Sequence, residues 1–257
     1  MDETIEVPPR RPRRPMRTQV LGAAQAKALS GGSRLEANMR ACTSTGFCGL
    51  LRAAEMALQP GETFTPSRHL TRDDVLFCQG GVWLRFSELR IGQPVEAARV
   101  MMRPCKKLRY RAGKTVPVVL YDGTVLSPVQ DLLHLYRVDS VPSHLEGVTP
   151  LFRRRQNEAF TTTFVRTVVR YLVSAVGLEP SLYGGHSLRI GGATAALAAG
   201  LSASVIRVMG RWDSDVFELY ARASADGARR AGTVIASTSF EDFEGMFNHE
   251  EFVPAQG

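Results

Sequence analysis

Cysteine is scarce in this chain. Four occur in 257 residues (Cys42, Cys48, Cys78 and Cys105), and no two of them form a CxxC pair. That spacing argues against a disulfide scaffold and against a structural zinc site, and predicts reduced cysteines in a partly buried core. Long apolar runs are missing, so no segment is predicted to span a bilayer. The N-terminus is acidic, then rich in arginine and proline, without the apolar stretch of a secretory signal. The sequence contains no GxxxxGK[ST], HExxH or GxSxG, which sets aside phosphate-loop, zinc-protease and serine-hydrolase chemistry. Histidine is also sparse, and His69, His134, His144 and His249 stand apart as structural or exposed residues. These absences predict a soluble intracellular protein with neither a cofactor nor a metal.

What is present is ordinary in its core and unusual in its charge. Hydrophobic residues make up 44% and charged residues 22% of the chain, enough apolar material for one substantial core. Thirty-two Lys and Arg against 25 Asp and Glu leave a formal charge of +7. Such a surplus favours a polyanionic partner, nucleic acid or an acidic membrane surface. Much of it is local. Val7 to Thr18 reads VPPRRPRRPMRT, too proline-rich for a helix or a central strand. It is expected to be an extended basic arm over residues 1–20, with Arg10, Arg11, Arg13 and Arg14 able to lie along phosphates or to serve as a nuclear-import signal.

Hydrophobic periodicity divides the remainder. Helix formers run from about Leu21 to Leu58 with a break at Gly31-Gly32, and a second helix is expected to hold Leu50, Met56 and Leu58. Short strands are expected at Asp74–Phe77, Gly81–Phe86, Val95–Met102 and Val116–Tyr121. Helices are then predicted over Ser127–Arg137, Asn157–Val176, Ser187–Ala199 and Ser202–Met209, and a last one after Asp213 carrying Phe217 and Tyr220. Ser187 is the expected N-cap of its helix, and Gly191-Gly192 give that helix a smooth face for close packing. The class is α+β, mainly helical, with a small antiparallel sheet on one edge, a main domain over 21–237 and a loose tail over 238–257.

Unusual residues concentrate in a few short segments. His186 and Arg189 are three apart at a helix start and project from one side. Gly210-Arg211-Trp212-Asp213 follows, then Tyr220-Ala221-Arg222. Far upstream, Arg52 lies among apolar neighbours with Glu55 three residues on, a pairing suited to holding a partly buried arginine. Taken singly, each residue has an ordinary structural use. Arg52 would make a surface salt bridge, Trp212 would fill core, and Lys106 and Lys107 would sit on a solvated turn. Together they are the parts of metal-free phosphoryl transfer. Guanidinium groups hold non-bridging oxygens, a lysine protonates the departing sugar oxygen, and histidine and indole N–H groups donate to developing charge. A phenol, with a reference pKa near 10, becomes a usable nucleophile in such a cationic setting. Tyr110, Tyr121, Tyr136, Tyr171 and Tyr183 also occur, but none follows the tryptophan on its own short helix.

In this order the residues resemble the tyrosine recombinase signature. Gly49-Leu50-Leu51-Arg52 with Glu55 is similar to its arginine helix, and the basic β-turn at Lys106-Lys107 to its lysine hairpin. His186-Ser187-Leu188-Arg189 is similar to its "H.LR" box, Gly210-Arg211-Trp212 to its "G(H/W)" box, and Tyr220 to its terminal tyrosine. The wording GGHSLRIGGATAALAAG and MGRWDSDVFELYAR is nearest in flavour to recombinases of cryptons and DIRS-like retroelements. The resemblance spans roughly Leu21 to Arg222 and implies the recombinase catalytic-domain fold.

It also implies roles. Arg52 and Arg189 would clamp the scissile phosphate, His186 and Trp212 would donate to it, and Tyr220 would attack to leave a 3′-phosphotyrosine and a free 5′-hydroxyl. Lys107 fits the general acid best, with Lys106 beside it and Lys114 after the turn glycine. Arg211 and the arm arginines would contact double-stranded DNA, on which copies would assemble as a synaptic tetramer. The eukaryotic flavour and the arm point to the nucleus. The family's separate N-terminal clamp domain has no counterpart ahead of Arg52, and the stretch from Gly61 to Val100 is longer than its usual hairpin, so a truncated or decayed form is one expectation. Two other readings remain open: a non-catalytic DNA-binding relic, and a type IB topoisomerase that shares the chemistry.

Overall fold

The computed structural model describes residues 13–103, 115–212 and 232–237. Its first helices are α1 (Thr18–Ala28) and α2 (Arg34–Cys48), separated at the predicted glycine pair. Ser33 caps α2: its hydroxyl accepts from the Glu36 amide while Glu36 accepts from the Ser33 amide, which satisfies two end donors reciprocally. Ten of the fifteen α2 residues are buried, so α2 is a central helix, packed against the helices over Pro128–Val138 and Gly185–Ala198.

The expected second helix through Leu50 and Leu58 does not form as one piece. The α2 helix ends at Cys48, the chain turns at Leu50 with φ near 50°, and a single turn, α3 (Ala53–Met56), follows. Leu58 is extended, its amide donating to Phe160 O at 2.9 Å while its carbonyl accepts from the Thr162 amide at 2.8 Å. Helix propensity here yields to that long-range pairing.

Four strands, β1 (Val75–Gln79), β2 (Val82–Leu84), β3 (Ala97–Met102) and β4 (Val116–Leu120), form one sheet in the order β2-β1-β3-β4, and all its pairings are antiparallel. Val75, Phe77, Val100, Met102 and Leu120 are buried in the core that α4 (Pro128–Val138) covers with Leu132 and Leu135. A second, two-stranded sheet, β5 (Arg153–Arg155) with β6 (Glu158–Ala159), was not foreseen. It takes residues 158–159 away from the predicted Asn157–Val176 helix, so α5 runs Thr162–Ala175, with Val165, Val168, Val169, Leu172 and Val173 on its inner stripe.

Helix α6 (Gly185–Ala198) begins earlier than expected: Gly184 is its N-cap, and Ser187, one turn in, accepts from the Gly184 amide at 3.1 Å. Helix α7 (Ala203–Gly210) matches the predicted span to within one residue at each end, and Ser202 caps it by accepting from the Val205 amide. The smooth face of α6 is used, for a Cβ on Gly191 would lie 2.0 Å from Met16 O. That contact also corrects the boundary of the basic arm. Met16 and Thr18 are wholly buried, and the Arg14 and Met16 amides donate to Leu182 O and Ser187 O, so from residue 13 onward the chain is fixed to the α6 region.

Mixed helices with a small antiparallel sheet make the class α+β, as the sequence reading had it. Cys42, Cys48 and Cys78 are free and buried. Among the described residues no helix is long and apolar enough to cross a membrane.

Candidate functional site

The site grows from one corner where three chain segments meet: the turn between α2 and α3, the start of α6 and the end of α7. The α3 and α6 starts nearly touch, since a Cβ on Gly185 would come 2.9 Å from the Ala53 Cβ. Arg52 is the N-cap of α3, its backbone amide donating to Glu55 at 2.7 Å. Its side chain is 35% exposed, with Nη1 at 3.8 Å from the Glu55 carboxylate.

Arg189, one turn into α6, is 1% exposed. Its guanidinium donates to Leu50 O at 2.6 Å and to Gly210 O at 2.5 Å, and its centre lies 4.4 Å from the centroid of the Trp212 ring. The indole thus lies over a buried cation, an arrangement stabilising by roughly 1–2 kcal/mol when desolvated. Trp212 is half-buried and held at the end of α7 by its amide donating to Arg207 O.

Arg211 occupies a different position from the one expected. It is 2% exposed, in the left-handed region at φ near 55°, and its guanidinium turns inward. It donates to Gly49 O, Leu50 O and Met209 O at 2.8–3.1 Å and meets the Glu55 carboxylate at 3.2 Å. The expectation that Arg211 touches DNA does not hold in this geometry. Glu55, read as the holder of Arg52, also holds Arg211. Leu50 and Arg211 are the non-glycine residues with positive φ among those described, and both stand at this corner. Each costs on the order of 1 kcal/mol, a strain that the shared Leu50 carbonyl contacts offset.

His186 lies at the surface between these groups. Partial removal from water, then the positive charges of Arg189 and Arg52, hold its imidazole below the ordinary 6.5. It is therefore neutral at pH 7 and has one N–H to donate. Contacts tie the parts together: Arg189 reaches the Leu50 carbonyl 139 positions away, and the start of α6 at Gly185 stands against Ala53, next to Arg52.

The rim of this corner is basic. Exposed Arg13 and Arg166 both come within 3.8 Å of the Cβ position at Gly184, and Arg13 donates to Ser181 O. Arg14 is exposed beside it. Arg166 was missed by sequence reasoning; the signal for it was its place on the outward face of α5, one turn before Arg170. Tyr220, Arg10 and Arg11 lie outside the described residues, as do Lys106, Lys107 and Lys114, which fall in sequence between the paired strands β3 and β4.

The sequence matches no protein-family model and no curated protein significantly. Arg52, His186 and Arg189 place two guanidinium groups and a neutral imidazole together, with one carboxylate, Glu55, engaged by Arg52 and Arg211. Such a set favours an anion with several acceptor oxygens.

Proposed function

We propose that the protein cleaves and rejoins DNA as a tyrosine recombinase, with the recombinase catalytic-domain fold and Tyr220 as the nucleophile. The observation that carries the reading is the meeting of Arg52, His186, Arg189 and Trp212 at one corner, in the family's order of motifs. In this reaction the Tyr220 phenol oxygen attacks phosphorus and its proton passes to water. The bond from phosphorus to the 5′ oxygen breaks, and Lys107 delivers a proton to that oxygen. The product is a 3′-phosphotyrosine and a free 5′-hydroxyl, and attack by a 5′-hydroxyl reverses the step. The ester keeps the bond energy, so the cycle draws on neither ATP nor a metal. Arg52 meets the non-bridging oxygens from the exposed side, His186 donates one hydrogen bond, and Arg189 acts from behind, its charge little screened because it is buried. Glu55 keeps Arg52 and Arg211 in register. Double-stranded DNA is the partner, and a tetramer of this chain on DNA is the assembly that the reading implies.

A second reading, a DNA-binding relic without strand transfer, draws support from the burial of Arg189 under Trp212. A suicide substrate separates the two: a nicked duplex that carries the recombination site. Under the first reading a covalent protein–DNA adduct accumulates and is abolished by Tyr220→Phe, while Arg52→Ala slows it at least a hundredfold. Stable DNA binding without adduct would establish the relic, and relaxation of supercoils without sequence preference would move the protein to the topoisomerases.

A further inference from the structure

Away from the α6 corner, a cleft of about 70 Å³ opens between the start of α2 and the β5–β6 hairpin, lined by Arg34, Asn38, Asp139, Arg153, Arg154 and Arg155 with Gln156. Its floor is locked. Asp139 accepts from Arg153 Nε and Nη2 at 2.8 and 2.7 Å, from Arg72 at 2.7 Å and from Asn38 at 3.0 Å. The Arg153 amide donates in turn to Asn38 Oδ1 at 2.9 Å. Its lip is more open and only partly paired. Arg34 is exposed, and the side chains of Arg154 and Arg155 are 43% and 84% exposed, with Glu158 as their carboxylate neighbour. Arg154 is braced by its guanidinium lying 4.9 Å from the Phe164 ring. Of the four arginines that line the cleft, Arg153 is engaged by Asp139 and Arg154 by Glu158 at 2.9 Å, so exposed Arg34 and Arg155, whose nearest carboxylate stands 3.9 Å away, carry the charge that faces it.

We propose that this cleft seats a backbone phosphate of nucleic acid, outside the strand-transfer corner. Size and chemistry select the ligand. The space is on the order of one phosphate group or a few waters, whereas pockets that enclose a base or a drug-sized ring run to about 300 Å³ or more. Guanidinium groups fanned around a small space match the several acceptor oxygens of a phosphodiester. A contact of this kind positions the protein and reads no sequence. The proposal deepens the strand-transfer reading by naming a second place where DNA is held, and it rests on nucleic acid being the partner.

The test is equilibrium binding of the full chain to a labelled, un-nicked duplex by fluorescence anisotropy across a salt series. Arg155→Gln is compared with Arg90→Gln, which removes the same charge from an exposed site beside the outer strand β2. Arg155 is solvent-exposed, so its variant folds, and circular dichroism verifies this. Arg155→Gln should weaken binding roughly fivefold and flatten the slope of log K against log salt by about one, and Arg34→Gln should do the same. Arg90→Gln should leave both unchanged. Equal losses in all three variants would overturn the site in favour of diffuse charge. Unchanged DNA binding would overturn it too. Inorganic phosphate titrated by calorimetry separates the sources: uptake lost in Arg155→Gln while DNA affinity stays constant would mark a free-phosphate site and overturn a backbone seat. Adduct formation on the suicide substrate is a separate readout, so failure of the cleft and failure of strand transfer are told apart.

Discussion

Where α4 ends, Arg72 and Arg153 share the carboxylate of Asp139, while at the α6 corner Arg189 and Arg211 are held mainly by backbone carbonyl oxygens, with Glu55 the carboxylate in reach. Both clusters bury arginine almost completely. They differ in what balances the charge. A carboxylate cancels a guanidinium, whereas a carbonyl dipole satisfies its N–H groups and leaves the charge in place. The first cluster is thus a clasp between α2, α4 and β5. The second sets the charges of Arg52, Arg189 and Arg211 beside one carboxylate, Glu55, which pairs with Arg52 and Arg211, and is the more electropositive of the two, the condition needed to attract an anion.

The strongest way to break that contrast is Asp139→Asn. It leaves two buried guanidinium groups without their counter-ion and should cost about 3–5 kcal/mol in denaturant unfolding. A loss below about 1 kcal/mol would mean that Asp139 was not the balancing charge. Burial opposes the ionised Asp139, but hydrogen bonds from Arg153 and Asn38 and the charges of Arg72 and Arg153 outweigh it and hold the carboxyl below its ordinary 3.8. Its contribution is therefore complete above pH 3.8 and is lost as pH falls through the lower folded value.

Asp131 is the opposite case, a buried carboxylate whose Arg40 partner stands 3.7 Å away. Burial pushes it up to about 6. The folded state binds this proton more tightly than the unfolded chain, so stability falls as pH rises from 3.8 through about 6. Asp131→Asn should stabilise by roughly 2–3 kcal/mol at pH 8 and by nothing below pH 4, as read from melts at both ends. Equal effects at the two pH values would remove desolvation as the cause.

Glu55→Gln should cost less, about 1–2 kcal/mol, because Arg211 keeps its carbonyl partners. If it costs as much as Asp139→Asn, the two clusters are balanced alike. The smallest effect is the most local. Arg52→Met should raise the NMR titration midpoint of His186, and an unmoved midpoint would separate Arg52 from His186.

Much of this was legible in the sequence. The four strands of the larger sheet, α4 and α7 follow from apolar spacing, and α5 follows from its spacing and from Gly177 behind it, apart from its start. The joint order of Arg52, His186, Arg189 and Trp212 anticipated a corner, and the structure brings these four together. Three features were not legible. The Leu50 turn depends on a carbonyl that two distant arginines require, and no local propensity encodes that. The β5–β6 hairpin depends on Arg153 finding Asp139, a pairing across α4's end that periodicity cannot see. Arg211 was assigned to DNA through the resemblance, yet its left-handed backbone directs it inward. From residue 13 onward the arm departs from what composition suggested: proline and arginine suggested a free tail, and the burial of Met16 against Gly191 fixes that part instead.

The Leu50 carbonyl accepts from both Arg189 and Arg211. One oxygen atom thereby joins the α2–α3 turn, α6 and the end of α7 into a single cooperative unit. Amides in these three segments should open together in native-state hydrogen exchange, on a common free energy, rather than fraying one helix at a time.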